Sequence, residues 1–312
     1  MEDKKPRAMT RREIRKADRA TAVRLSGADK GFNLVIDSFL WITLIVISIP
    51  MWSTITLSFR PNTFLGSYFD GMFLAPWKWS LAAYKALLGN RGFLLAFSNS
   101  FKILALGVSS ALLLTIPLAY VMSIKSLPGH KVLVMIVLIP YIFNVGIIPS
   151  YLLVAKLGLT NHLAAVFIPT AVGTYNCLIM RSFFEGIPNE LKESARIDGC
   201  SEIRVLISIV LPLSKAIIMT IGLYYGVSFW NDFFHAMLYL TDNKLQPLPI
   251  LLRNILMASG MNEYVEASAF GEAPIEAIKA ASVFMSAIPM IIAYPMIQKY
   301  FTKGTLLGSV KG

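Results

Sequence analysis

Six long apolar runs with few or no charged residues dominate this sequence and restrict the folds open to it. They extend over residues 34–59, 103–124, 132–155, 163–180, 205–240 and 280–298. A helix needs about 20 apolar residues to cross the hydrocarbon core of a bilayer. The runs therefore predict an all-α integral membrane protein with six transmembrane helices. The fifth run is the longest, and we expect it to hold a short lead-in followed by one helix from about Pro212.

The overall composition supports a membrane protein. Only 15% of the residues are charged and 55% are hydrophobic, whereas a soluble domain carries about 25% charged residues. The net charge of +11 first suggests nucleic acid as a partner. The charges lie in tails and loops between the apolar runs, however, so we expect contact with membrane lipid and none with nucleic acid. Two cysteines and three dispersed histidines predict neither a disulfide framework nor a metal site.

Lysine and arginine predict the orientation of the chain in the membrane. Cytoplasmic loops carry an excess of these residues. Most of them fall in residues 1–33, 125–131, 181–204 and 299–312 rather than in the intervening loops, which predicts that both termini are cytoplasmic. Residues 1–32 lack the apolar stretch of a signal peptide, and we interpret them as a basic tail before a membrane domain of residues 33–300 and a second tail of residues 301–312.

Every apolar run also contains proline, including Pro169 in the fourth run. Proline removes a backbone donor and kinks a helix, and in a membrane the neighbouring helices can satisfy the freed groups. Kinked helices are typical of a packed bundle with an internal path. They are equally typical of ordinary membrane helices, and both interpretations remain open.

The segment from Ile187 to Gly199, between the fourth and fifth runs, predicts a short amphipathic helix. Pro188 and Asn189 are favoured where helices begin, and Gly199 is favoured just after one ends. Four residues are spaced so that they lie on one side of this helix. They are Leu191, Ser194, Ala195 and Asp198. Two of these residues are small, so another protein surface could approach closely. A plain surface helix is the alternative.

This segment resembles the cytoplasmic loop shared by ABC importer permeases. The family pattern is Glu-Ala-Ala, three residues, Gly, nine residues, Ile, one residue and Leu-Pro. The matching positions in this sequence are Glu193, Ser194, Ala195, Gly199, Ile209, Leu211 and Pro212. Ser194 replaces the first alanine of the pattern, but serine is also small, so we expect docking to be retained.

The resemblance implies a type I ABC importer permease fold and a coupling helix at about residues 188–199. In that family this helix docks on a cytoplasmic ATPase subunit, and closure of the ATPase dimer on ATP switches the bundle from inward-facing to outward-facing. The implied partners are a sister permease, two ATPase subunits and an extracytoplasmic solute-binding protein. The sequence has no Walker-type phosphate loop, so ATP and Mg are expected in the ATPase subunits and no cofactor in this chain.

The carboxyl-terminal tail resembles that of the smaller permease in the maltose transporter group, whose end reaches between the ATPase subunits. The residues that match this ending are Gly308, Val310, Lys311 and Gly312. The resemblance implies that the tail contacts the ATPase. A frayed terminus is the alternative interpretation.

Polar residues within the runs are candidates for the substrate pathway, because polar groups in spans tend to face the bundle interior. The candidates are Asn144, Tyr175, Asn176, Trp230, Asn231 and Asp232. Aromatic rings and amide or carboxylate groups suit the binding of sugars, and the sequence here resembles permeases for carbohydrates, particularly oligosaccharides or polysaccharides. Hydrogen bonding between helices is the more ordinary explanation for any single one of these residues, and Asp232 could simply be solvated at the interface.

Three other functions were weighed against a carbohydrate permease of the bacterial cytoplasmic membrane. A permease for a non-sugar solute fits the same coupling motif. An ion-coupled secondary transporter usually shows internal repeats and intramembrane ion ligands, which this sequence lacks. An intramembrane enzyme requires a catalytic cluster, and we find no candidate catalytic residues: Asp37 and Asp232 are far apart in sequence.

Overall fold

The computed structural model describes residues 27–62, 71, 73–143, 145–257 and 273–308, with side chains described between Gly31 and Pro295 of those ranges. The described part is helical and contains no β-strand. Its helices are α1 (Gly27–Ser58), α2 (Ala82–Gly89), α3 (Arg91–Ser123), α4 (His130–Ile142), α5 (Ile147–Lys156), α6 (Ala164–Phe167), α7 (Thr174–Glu185), α8 (Asn189–Ile197), α9 (Glu202–Leu213), α10 (Lys215–Trp230), α11 (Phe234–Tyr239), α12 (Leu248–Met257) and α13 (Ile275–Gly308).

The chain divides between Ser53 and Thr54 into two compact units. The described part of the first unit is most of α1, a helix whose side chains from Phe32 to Trp52 are almost all exposed and mostly apolar. A helix that is apolar on all sides is typical of a lipid or protein environment rather than water. The second unit contains the end of α1 and all the other helices.

Three described helices are long and apolar enough to cross a membrane. They are Gly31–Ser58 within α1, the whole of α3, and Ile275–Pro295 within α13. Two further runs form bent pairs, α4 with α5 and α9 with α10, and the second pair is bent by 84°. The first pair bends near Gly146, whose φ of +83° is readily adopted only by glycine. The described residues thus contain up to five spans by length and composition.

The predicted fourth span, residues 163–180, is not one continuous helix. The short helix α6 ends at Phe167, and α7 begins only at Thr174. Pro169 lies in the break and has no N–H to donate, so it cannot continue the hydrogen-bond ladder of α6. α7 then continues beyond the predicted run to Glu185.

The core of the second unit lies where α3, α7 and α10 meet. Its fully buried side chains include Ala111, Met122, Met180, Phe184 and Ile221. α3 and α10 cross closely because Gly107 has no side chain: a Cβ atom there would lie 2.8 Å from the ring of Phe229. Small residues at such crossings are a recurrent device of membrane bundles, where helices gain stability from close packing.

Candidate functional site

The helix α8 lies within the predicted coupling segment, and it begins and ends beside the residues expected there. It begins directly after Pro188 and is followed by Gly199 with a φ of +82°. The N–H of Gly199 donates to the Arg196 carbonyl at 3.0 Å, and the N–H of Cys200 donates to the Ala195 carbonyl at 2.9 Å. This pair of bonds is the Schellman arrangement, which requires a left-handed residue that glycine adopts without strain.

The motif side chains of α8 divide between solvent and core. Glu193, Ser194 and Asp198 are exposed, and Leu191 is 47% exposed. Ala195 is 8% exposed and belongs to the hydrophobic core of the chain. The expectation that all four residues of the predicted side are available to a partner is therefore wrong for Ala195, because its methyl group fills space against the bundle.

An exposed isoleucine on α8 escaped the sequence analysis. Ile197 is 85% exposed although it is a large apolar residue. It lies on a different side of the helix from the buried Lys192 and Ala195, because helix positions two and five residues apart point to different sides. Ile197 gives α8 an outward apolar group beside its charged residues. Pro212, the last residue of the motif, is exposed on α9.

Charged side chains fasten α8 to the helices around it. Arg196 binds Glu202 at the start of α9 through Nε to Oε1 at 2.6 Å and Nη2 to Oε2 at 3.1 Å. Tyr120, near the end of α3, donates its hydroxyl to Oε2 of the same carboxylate at 2.7 Å. The hydrogen bonds that Arg196 donates to Glu202 raise the pKa of Arg196. One carboxylate therefore joins α8, α9 and α3.

A buried lysine connects α8 to the end of α7. Lys192 is 5% exposed, and its Nζ donates to the Phe184 carbonyl at 2.9 Å. A cation is favoured there because the last carbonyls of a helix carry partial negative charge. Burial lowers the pKa of Lys192, as does the charge of Arg196. A cavity of about 320 Å³ separates this part of α8 from residues 123–126.

Glu185 at the end of α7 completes this charged group. Its Oε1 accepts from Arg181 Nε at 2.8 Å, and its Oε2 lies 3.6 Å from Lys125 Nζ. Burial alone would raise the pKa of Glu185, but the hydrogen bonds and charges of Arg181 and Lys125 outweigh it and lower the pKa. The 185–204 segment is thus held mainly by ion pairs and hydrogen bonds to charged groups.

The predicted pathway residues near the carboxyl-terminal end of the fifth run are engaged in local structure. The indole N–H of Trp230 donates to the Ser286 carbonyl at 3.0 Å, and the ring is 4% exposed. Asn231 donates to the carbonyl of Val227 on its own helix. Asp232 caps α11: its Oδ1 accepts from the backbone N–H of His235 and its Oδ2 lies 2.8 Å from the His235 ring nitrogen.

The other pathway candidates lie elsewhere. Tyr175 is 58% exposed and Asn176 half-buried, both in the first turn of α7. Asn144 lies outside the described residues. The five described candidates thus divide between the start of α7 and the end of α10. Among the predicted tail contacts, Gly308 ends α13, while Val310, Lys311 and Gly312 lie outside the described residues.

A second connection, the 239–248 segment, is held by neutral groups. Asn99 of α3 donates to the carbonyls of Lys244 and Gln246 at 2.8 and 3.3 Å. Ser100 accepts from the N–H of Leu248 at 2.8 Å. Asn161, the one described non-glycine residue with positive φ, accepts from both N–H groups of residues 241 and 242 through its Oδ1. These contacts join the segment to α3 and to the loop before α6.

Tyr225 of α10 was not singled out by sequence and lies at the centre of the bundle. It is 3% exposed, and its hydroxyl contacts Thr115 of α3 and the backbone of Gly173. No signal in the sequence distinguishes it from the adjacent Tyr224, which is 42% exposed. Within the described residues, no cluster of three or more His, Cys, Asp or Glu side chains could hold a metal ion.

Comparisons with known proteins give a consistent result. Residues 28–306 match the family described as binding-protein-dependent transport system inner membrane component. Protein LplC of Bacillus subtilis strain 168 is 39% identical over 77% of this chain and 82% of its own length. The polygalacturonan/rhamnogalacturonan transport system permease protein YtcP of the same strain is 36% identical over 90% of this chain and 98% of its own.

One solved structure extends the likeness to three dimensions. It is the crystal structure of a bacterial ABC transporter involved in the import of the acidic polysaccharide alginate. One of its chains superposes on this chain with a TM-score of 0.81 and 29% identity, covering 90% of this chain and all of the other.

Proposed function

The chain belongs to the family of binding-protein-dependent transport system inner membrane components and is a permease subunit of an ABC importer. From this premise we propose that it carries a carbohydrate, either an oligosaccharide or a polysaccharide. The relative YtcP is named for polygalacturonan and rhamnogalacturonan, and the solved transporter imports alginate. Both cover nine tenths of this chain, so the likeness includes the membrane helices that form a pathway.

The observation that carries the ATP-driven part of the proposal is the geometry of α8. This helix is short, closed at both ends, and fixed to α3, α7 and α9 by Lys192 and the Arg196–Glu202 pair. It presents Leu191, Ile197 and the polar motif residues to solvent. A rigid helix with an exposed apolar edge can transmit the motion of a docked subunit to the bundle.

The role of each motif residue follows from its exposure. Glu193, Ser194, Asp198 and Leu191 would contact the ATPase subunit directly, whereas Ala195 would support the helix from the bundle side. Gly199 would fix where the helix ends, and Pro212 would lie beside the contact on α9. ATP and Mg would bind in the ATPase subunits and not in this chain. The tail residues from Gly308 to Gly312 would form a second contact with the ATPase.

The membrane arrangement is part of the same proposal. Six spans with both termini in the cytoplasm would place α8 on the cytoplasmic side of a bacterial inner membrane, where ATP is available. The broken run of residues 163–180 would supply the remaining span, the fourth along the chain, as two helical pieces. A sister permease would form the other half of the pathway, and a solute-binding protein would deliver the sugar to the 239–248 side. Tyr175, exposed at the start of α7, remains the best-placed pathway candidate.

The first experiment replaces Gly199 with valine. A β-branched residue in the left-handed conformation costs about 1–2 kcal/mol, so the end of α8 would refold and the docking surface would be lost. We expect uptake of labelled pectin-derived or alginate-derived oligosaccharides by cells to fall at least about tenfold, with unchanged abundance of the subunit in the membrane. The matched control is Gly158→Val, which has a φ of +68° at the end of another helix and open space around it.

The two variants impose the same backbone strain at different places, so their difference isolates the coupling role. Normal uptake by Gly199→Val, or an equal loss in both variants, would contradict the assignment of α8. Purification of the tagged wild-type chain in mild detergent tests the partners. Recovery without any ATPase subunit would exclude the proposal and favour an ion-coupled transporter.

A further inference from the structure

The break between α6 and α7 needs a partner for its backbone. Residues 168–173 interrupt the predicted fourth span, and backbone without helical bonds is tolerated at membrane depth only where protein or water satisfies it. Gly173, the last residue before α7, donates its N–H to the hydroxyl of Tyr225 at 2.9 Å. The partner therefore comes from α10, which is 52 residues away in sequence.

The same hydroxyl makes a second contact, with α3. The oxygen atoms of Tyr225 and Thr115 lie 2.7 Å apart, and the two residues are 3% and 0% exposed. A phenolic hydroxyl has one hydrogen to donate and can also accept. It accepts from the Gly173 N–H and shares a hydrogen bond with Thr115 in which either hydroxyl can be the donor. One oxygen atom thus joins the 168–173 segment, α3 and α10.

The surrounding packing holds the ring of Tyr225 in place. The ring stacks on Phe229 with centroids 5.9 Å apart. A Cβ atom on Gly173 would lie 3.4 Å from the Tyr225 ring and hydroxyl, so the ring packs directly against the backbone of this residue. Both contacts of the hydroxyl can break without unwinding a helix, since neither is part of a helical ladder.

We infer that Tyr225 is a positioning residue for transport, whose hydroxyl holds α3, α10 and the 168–173 segment in the resting arrangement of the bundle and is released when ATP drives the switch. This inference rests on the proposed ATP-driven function and not on the identity of the solute. Without the hydroxyl, the Gly173 N–H and the Thr115 side chain lose their buried partner. Such a loss shifts an equilibrium by roughly 5- to 100-fold.

The test uses the complete complex of both permeases and the ATPase subunits in lipid nanodiscs, with the variant Tyr225→Phe. We expect normal assembly, a several-fold rise in ATP hydrolysis without binding protein, and less solute imported per ATP. Thr115→Val, which removes only one contact, should give a smaller rise, and Thr115→Ser, which keeps a hydroxyl, should restore wild-type values. The matched control is Tyr224→Phe, whose hydroxyl has no hydrogen-bond partner among the described residues.

Hydrogen exchange of the peptide covering residues 168–174 measures the contact itself. Faster exchange in Tyr225→Phe than in Tyr224→Phe supports the inference. Equal exchange in the two variants, or unchanged ATP hydrolysis in Tyr225→Phe, would overturn it. A loss of hydrolysis and uptake in proportion to the complex recovered would also overturn it, because the role of Tyr225 would then be structural only. ATP hydrolysis without binding protein needs no solute, so these results do not depend on the carbohydrate assignment. Failure of that assignment would be seen in the uptake experiment instead.

Discussion

The 185–204 segment and the 239–248 segment both connect helices and both are fixed to α3, but the chemistry of the attachment differs. The first is held by partly exposed charged groups, with Glu202 binding Arg196 and Tyr120. The second is held by neutral amide and hydroxyl groups, with Asn99 and Ser100 bound to backbone atoms. Asn99 is 2% exposed, whereas the side chains of Arg196 and Glu202 are 36% and 52% exposed.

This difference indicates which attachment can be adjusted. Exposed ion pairs contribute about 1 kcal/mol or less and weaken in salt. Buried polar groups cost about 1–3 kcal/mol when one partner is removed, and salt does not screen them. The Arg196–Glu202 pair of the segment proposed to dock an ATPase is therefore a contact with which a partner's charges can compete, whereas its Lys192 is buried. The Asn99 and Ser100 contacts of the 239–248 segment are buried and out of reach of such competition.

The largest effect is expected for Asn99→Ala. The variant leaves the Lys244 and Gln246 carbonyls without their side-chain donor inside the protein, so the free energy of unfolding should fall by about 1–3 kcal/mol. The measurement is unfolding of the purified permease in mixed detergent at low and high salt, and the loss should be the same in both. Asn231→Ala is the control, because Asn231 is exposed and bonds only its own helix; an equal loss there would contradict the prediction.

A smaller and salt-dependent effect is expected for Glu202→Gln. The amide keeps the shape of the side chain but removes its charge, so the free energy of unfolding should fall by about 1 kcal/mol or less at low salt. Wild type and variant should converge at high salt, because the ion pair is then screened. The control Glu190→Gln changes an exposed carboxylate that has no ion-pair partner among the described residues. A difference that persists at high salt would show that Glu202 acts as a buried group.

The smallest effect concerns pH at the 239–248 side. His235 is carried by α11, which lies beyond the end of α10. Its hydrogen bond to Asp232 raises the pKa of His235, although burial acts in the opposite direction. A raised pKa means that the contact stabilises the fold fully below about pH 6.5 and that this is lost as the pH rises through the folded pKa. Stability should fall by about 1 kcal/mol or less across that range, and His235→Gln should remove the dependence.

The sequence predicted helix ends better than helix breaks. Pro188 and Gly199 act through their own backbones, so their effect on α8 could be inferred locally. Pro169 also indicated a kink, but the backbone of the break is bound at Gly173 by the hydroxyl of Tyr225. A partner so far away in sequence leaves no local pattern, and the run of residues 163–180 therefore looked like one span.

The sequence left the hydrogen-bond partners of single side chains open. Trp230, Asn231 and Asp232 have the chemistry to bind a sugar, yet their polar atoms are used by Ser286, Val227 and His235. Ala195 fits a docking motif by identity but is buried. In each case the residue type was informative about which bonds were possible, and only the packing determined which were made.

Cys200, whose N–H donates to the Ala195 carbonyl at the end of α8, also carries a thiol that can be labelled. The chain has two cysteines, and Cys177 is buried in the core while Cys200 is partly exposed. A bulky maleimide dye would therefore attach next to α8 in the unmodified sequence. Its fluorescence would respond when another surface covers the helix, so attachment and detachment of an ATPase subunit could be timed without introducing any substitution.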